Sequence, residues 1–220
     1  PTMFYATLGA SARVSFNERK VDSYFYRRHI YNHLPILYIG AEMGSYHLDN
    51  MPSNRMYGNL QLMLRHNVDL GMSGELDYLL QAGLMFGKLP YPLLHHFTAN
   101  QTHAFDAYRF SLMNNYQYAA DKYISLHAHW NGKGVLFNLI PGVRYARLRE
   151  LIEFKVAYGG LRGEHQSVLS FSTTQTGYST MQALDIPYVE VGVGIGNILR
   201  IGEVYGVFRL THLQDPTSPW

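Results

Sequence analysis

Apolar and polar residues alternate along most of this chain with a period of two, the spacing of a strand whose two faces meet different surroundings. In PYVEVGVGIG, residues 187–196, one face is Val189, Val191, Val193 and Ile195. The other is Tyr188, Glu190, Gly192, Gly194 and Gly196. A soluble sandwich turns its apolar face inward and its polar face to water. Here the second face offers a carboxylate and little bulk, which fits a wall with lipid on one side and polar contacts on the other.

The same alternation predicts strands at 3–15, 36–46, 59–65, 75–87, 123–130 and 151–159, with further strands at about 105–118 and 203–213. In the first, Phe4, Ala6, Leu8, Ala10, Ala12 and Val14 oppose Tyr5, Thr7, Gly9, Ser11 and Arg13. In the third, Leu60, Leu62 and Leu64 oppose Asn59, Gln61, Met63 and Arg65. In the sixth, Ile152, Phe154, Val156 and Tyr158 oppose Glu153, Lys155, Ala157 and Gly159. The total is roughly nine or ten strands.

Short connections at Leu70–Ser73, Ala119–Lys122 and Asn197–Gly202 suit antiparallel neighbours. Longer ones span 16–35, 88–104, 131–147 and 160–186, the last rich in Ser, Thr and Gly and expected to be an exposed loop. VLFNLIPGVRYARLRE, residues 135–150, could form a short amphipathic turn, interrupted by Pro141 and Gly142. No helix of length, domain boundary or repeat is evident, so residues 1–220 read as one domain.

Composition sharpens this picture. No uncharged apolar run reaches the roughly 18 residues of a membrane helix. A barrel strand needs only about nine to eleven residues, half of them apolar, and escapes that test. Charged residues make up 15% of the chain, below the roughly 25% of globular proteins, so the polar faces make poor soluble surfaces. The 18 Tyr suit a membrane interface or polar lumen, and the 20 Gly suit close backbone approach. Without Cys, disulfide and thiolate chemistry are excluded. A net charge of +2 does not point to nucleic acid. The chain opens as a strand with no signal peptide, which is expected of a fragment or a processed protein. The soluble alternative is a lipocalin-type barrel with its apolar faces inward. The sparse charge, the long apolar faces and the aromatics near strand ends (Phe4, Phe86, Trp130, Tyr158) favour the membrane form.

Four groups of residues are candidates for chemistry. His127 and His129 share a strand face at a spacing that could serve a metal, but no third ligand is fixed locally and His95–His96 lie in a loop. Wall histidines are the plainer assignment, so no metal and no cofactor are expected. GVGIGN, residues 192–197, imitates a phosphate loop but has no following helix, and its glycines suit a crowded interior. Ser, His and Asp residues are numerous enough to compose a triad by chance. Glu42, Glu75, Asp77, Glu153, Lys155, Glu190 and Arg209 fit an interior charge network that stiffens the wall better than they fit acid–base catalysis. No catalytic residue is assigned.

Three blocks, FSLMNNYQYAADKYISLHAHWNGKGVLFNLIP (110–141), RLRELIEFKVAYGGL (147–161) and DIPYVEVGVGIGNILRIGEVYGVFRLTHL (185–213), carry a family resemblance. GKLPYPLLHH (87–96), with Asn100 and Gln101, extends it. Together they resemble the Bacteroidota outer-membrane proteins that place a carboxypeptidase-regulatory-like β-sandwich ahead of a C-terminal barrel. The resemblance implies a diderm outer membrane and an N-terminal periplasmic module, and brings no catalytic motif or zinc ligands. Chains of that family continue past DPTSPW into one more strand, so both ends are expected to be incomplete, with the missing strand pairing near Phe4–Val14.

The expected fold is therefore all-β: an antiparallel transmembrane β-barrel of outer-membrane type, incomplete at both ends. The expected function is non-enzymatic, an accessory subunit of an envelope complex that assembles outer-membrane proteins or surface lipoproteins. Its expected partners are outer-membrane lipid and other outer-membrane or periplasmic subunits, with no nucleic acid. The alternatives are a transport channel or partner of an energised receptor, and a lipid-modifying barrel enzyme.

Overall fold

The computed structural model describes residues 2–16, 20–22, 24–29, 34–49, 53–101, 106–165 and 183–213. Twelve strands are present among them. They are β1 (Met3–Ser15), β2 (Lys20–Asp22), β3 (Arg27–His29), β4 (Ile36–Leu48), β5 (Arg55–Asp69) and β6 (Glu75–Phe86). Then follow β7 (His95–His96), β8 (Ala119–Ala120), β9 (Lys122–Asn131), β10 (Arg149–Gly160), β11 (Leu184–Ile198) and β12 (Gly202–Arg209). Eight of them form one antiparallel sheet in the order β1-β4-β5-β6-β9-β10-β11-β12, so every long strand pairs with its neighbours in sequence. The described sheet is open, with β1 and β12 at its edges. No helix among the described residues is long and apolar enough to cross a membrane.

The alternation of the sequence survives as two distinct faces. On the outer face Leu8 is 83% exposed, Leu62 44% and Val193 51%. Phe4, Ile39, Met43, Leu60, Leu84, Phe86, Ile152, Phe154 and Phe208 are exposed beside them. The inner face of β6 and β9–β11 is the buried one, although it holds Ser125, His127, Glu153, Lys155 and Glu190. This arrangement inverts that of a soluble sheet, whose covered face is apolar.

The cover is the described part of the segment between β6 and β9, residues 87–101 and 106–121, hereafter the insert. It lies on the inner face and supplies Leu89, Tyr91, Leu94, Phe97, Phe110, Met113 and Tyr118 to two buried clusters. The wall answers with tyrosines and a few aliphatic residues: Tyr46, Leu48, Tyr57 and Met85 on one side, Tyr123, Ala157, Leu184 and Tyr188 on the other. Contacts reach from β4, where Tyr46 donates its hydroxyl hydrogen to the Lys88 carbonyl, to β12, where Arg209 donates to the Tyr118 hydroxyl at 3.1 Å. Between them the Arg65 guanidinium of β5 lies 4.8 Å from the Tyr108 ring centroid.

Two expectations are corrected here. Residues 106–118 form turns and single-residue bridges at Phe110 and Tyr118 rather than a strand. Their backbone groups find partners other than a sheet ladder: Ser111 and Leu112 donate to Glu190, and Asn100 Nδ2 donates to the Asp106 carbonyl. Consequently Ala119–Lys122 is no hairpin turn, since β8 runs through Asp121 into β9. The two other short connections hold. Leu70–Gly74 closes through Leu70 N–H to the Gly74 carbonyl at 2.8 Å, with Gly71 and Gly74 at positive φ, where glycine costs least. Asn197–Gly202 joins β11 to β12. Residues 135–146 contain two short 3-10 turns on either side of Ile140–Gly142, and most of the 160–186 loop lies outside the described residues.

Candidate functional site

The polar inner face under the insert gathers buried polar and charged side chains from four strands. Strand register sets His127, Lys155, Glu190 and Arg209 in one row across β9, β10, β11 and β12. The next row holds Asp77, His129, Glu153 and Gly192. Glu190 is 1% exposed and Lys155 2%, so both depend on protein groups for solvation. Glu190 is well supplied: its carboxylate accepts the Ser111 amide at 2.8 Å, the Leu112 amide at 2.7 Å and the Tyr188 hydroxyl. Lys155 donates to Ser111 Oγ at 3.2 Å and lies 3.0 Å from Glu153 Oε2. Neither Glu153 oxygen receives a well-aligned hydrogen bond. The Arg209 guanidinium stacks 4.8 Å from the Tyr188 ring centroid and donates through Nε to the Thr211 carbonyl.

The remaining predicted charges do not join this group. Glu75 pairs with Lys133 at 2.6 Å at the sheet's rim, and Glu42 accepts a 3.4 Å hydrogen bond from Asn59 on the far strands. His127 packs 4.7 Å from the Phe110 ring, while His129 Nε2 meets the Tyr205 hydroxyl at 3.1 Å. The two therefore share a face and diverge in partners. Among the described residues no three His, Asp or Glu side chains converge as a metal site.

In the insert, His95 stacks on Tyr123 at 3.4 Å with the rings 6° from parallel. Burial, with His96 beside it, pushes the His95 imidazole down to about 4, so it is neutral near pH 7. His96 is likewise lowered by burial, and its Nε2 contacts the Tyr91 carbonyl at 3.0 Å.

The glycines of GVGIGN make room for neighbours. A Cβ at Gly194 would lie 2.6 Å from the Tyr205 ring, and one at Gly192 would lie 3.2 Å from Glu153 Cβ. The motif runs inside β11, and no helix follows it.

A second constellation escapes sequence reading altogether. Asp121, just before β9, accepts hydrogen bonds from Arg162 Nε and, at 3.2 Å, from His165 Nε2. His165 Nδ1 accepts the Leu89 amide at 3.0 Å, which fixes the tautomer with the proton on Nε2. Arg162 also donates to the Met85 carbonyl at 3.1 Å. Burial alone would raise the Asp121 carboxyl, but the hydrogen bonds from Arg162 and His165 and the Arg162 charge hold it below its usual value. These residues tie the start of the insert, its end and the loop after β10 into one knot. Both ring nitrogens of His165 are occupied, so the imidazole is placed to hold rather than to relay a proton.

The chemistry available at the covered face is therefore cohesion: buried charges and amides fasten the insert to a polar wall. No curated protein and no solved structure matches the chain. A family match does exist, and it spans β1 through the His165 knot; the chain belongs to the family of unknown function DUF5686, whose C-terminal domain matches residues 3–167.

Proposed function

We propose that this chain is the wall of an outer-membrane β-barrel in a Bacteroidota-type envelope, acting as a non-enzymatic subunit of machinery that assembles outer-membrane proteins or surface lipoproteins. One observation carries the membrane part: the sheet leaves its apolar face bare and covers its polar face. Soluble monomers rarely expose contiguous apolar patches beyond a few hundred Å². Burying each Leu, Ile, Phe or Val of such a face yields roughly 1.5–3 kcal/mol, and lipid supplies that burial for the whole band at once. The outward apolar strands with aromatic ends and the polar, filled interior are the pattern of transmembrane barrels. Closure requires that the free edges of β1 and β12 be paired.

The assembly role draws on the family resemblance of the 110–141, 147–161 and 185–213 blocks and on the filled interior. A face packed with Phe110, Met113, Tyr118 and Tyr188 suits a scaffold better than an open selective pore. A transporter is the second reading, favoured by the buried Lys155, Glu190 and Arg209 row, which would line a water path if the insert withdrew. Purification in mild detergent separates the two. Stable association with the barrel-assembly core supports the first, and a solitary barrel that conducts ions in planar bilayers supports the second. A protein recovered in the soluble periplasmic fraction would overturn both.

A further inference from the structure

We propose that the cleft between the 132–148 loop and the β11–β12 turn binds the phosphate of an acylated anionic amphiphile, that is, an anionic membrane lipid. The acyl half of this proposal rests on the membrane reading above; the phosphate half does not. The cleft encloses about 470 Å³ and is lined chiefly by Lys133, Asn138, Arg147, Arg149, Asn197 and Arg200. Four cations and two amides thus converge without a carboxylate in the lining. Lys133 is already neutralised by Glu75 at 2.6 Å and Asp69 at 3.6 Å. Nearby Glu150 is turned away, its Oε1 accepting the Leu136 amide at 2.9 Å. The three guanidinium groups have no ion-pair partner among the described residues, and they supply the planar donor forks that suit phosphate oxygens.

The backbone holds these arginines in place at a cost. Arg147 and Arg200 have φ of 51° and 68°, and Asn197 has 62°, the left-handed region where a non-glycine residue is disfavoured. Asn197 Nδ2 donates to the Arg147 carbonyl at 2.7 Å and so locks the loop to the turn. Around the cationic centre the same two segments raise exposed apolar tips: Leu136, Leu139, Leu199 and Ile201. A free phosphate, a nucleic acid or an acidic peptide has no use for those tips. A lipid matches both parts, its phosphate among the arginines and its chains against the leucines and isoleucine.

Native mass spectrometry of the protein in dodecyl maltoside, after delipidation, tests this with dioleoyl phosphatidylglycerol and dioleoyl phosphatidylcholine as probes. Phosphatidylglycerol should be retained in preference. The triple variant Arg147→Gln, Arg149→Gln, Arg200→Gln should lose that preference by at least about tenfold, whereas the triple Arg→Lys variant, which keeps the charge without the forks, should retain only part of it. Leu199→Ser with Ile201→Ser should weaken retention while preserving headgroup preference. Excess inorganic phosphate or glycerol 3-phosphate should fail to displace the lipid. Equal retention by wild type and the Gln variant overturns the proposal, as does ready displacement by inorganic phosphate, which would assign the cleft to a free anion. Sedimentation without detergent checks the membrane reading separately: a monodisperse protein there sinks that reading and leaves the headgroup comparison to judge the cleft.

Discussion

Glu190 on β11 stands directly opposite Arg209 on β12, and the two grip the same insert from adjacent strands. Glu190 takes the backbone amides of Ser111 and Leu112, and Arg209 takes the hydroxyl of Tyr118. The pair is thus a clamp whose jaws are a carboxylate and a guanidinium. Removing the Glu190 charge weakens three charge-assisted hydrogen bonds in a buried place and takes a carboxylate from beside the buried Lys155. Glu190→Gln should destabilise by about 3–5 kcal/mol. Glu153→Gln should cost far less, because Glu153 receives no aligned hydrogen bond and Lys155 keeps Glu190 beside it. Denaturant unfolding of the two variants in one detergent checks the contrast; equal losses would refute it.

The outer face makes an opposite demand. Arg in place of Leu62, in the middle of β5, should destabilise the protein in a bilayer by roughly 2–4 kcal/mol. Arg in place of Gln61, on the other face of the same strand, should be nearly silent. Refolding yield into phosphatidylcholine vesicles reads the difference, and a tolerated Leu62→Arg would argue that water, not lipid, meets this face.

Crowding gives a steric prediction. A Cβ at Gly83 would sit 2.4 Å from the Tyr123 ring, so Gly83→Ala must push that ring off its stack with His95. Overpacking of this kind costs about 1–3 kcal/mol. Gly83→Ala combined with Tyr123→Leu should recover part of the loss, measurable as a double-mutant cycle.

Acid should loosen the insert in a defined window. The folded His95 imidazole titrates near 4, below its ordinary 6.5, so between those values the unfolded chain binds the extra proton. Stability from His95 is complete above about pH 6.5 and is lost as pH falls towards 4, with His96 adding in the same direction. Asp121, also lowered, weakens the knot only at more acid pH, as its carboxylate finally takes a proton. Hydrogen–deuterium exchange of insert amides at pH 7, 5.5 and 4 should show this, and His95→Phe, which preserves stacking, should make the profile between pH 6.5 and 4 shallower, leaving the part that His96 contributes.

How much of this could be read from residues alone follows from locality. The strands were legible because each face is written in its own segment: Val189, Val191 and Val193 need no distant partner to declare a common side. The inversion of the faces was legible as well, since Glu190 and Gly192 make a poor water-facing surface. The insert was not. Residues 106–118 are apolar enough to suggest a strand, but the amides of Ser111 and Leu112 go to Glu190 and that of Asp106 to the Asn100 side chain, choices made only once the wall exists. The Asp121–Arg162–His165 knot joins positions 41 to 44 residues apart through a loop that carries no periodic pattern.

The meander order of the sheet has a consequence in time. Each long strand joins the one before it in the sheet, so the wall can grow strand by strand from its first hairpin onward. The insert cannot keep that pace. Its anchor at Glu190 lies 79 residues downstream of Ser111, and the Arg209 that holds Tyr118 lies 91 residues away. The last two strands must arrive before residues 110–118 have anything to fasten to. During maturation there is accordingly an interval in which the wall is nearly built and its polar side stands open, and docking of the insert is the event that ends it.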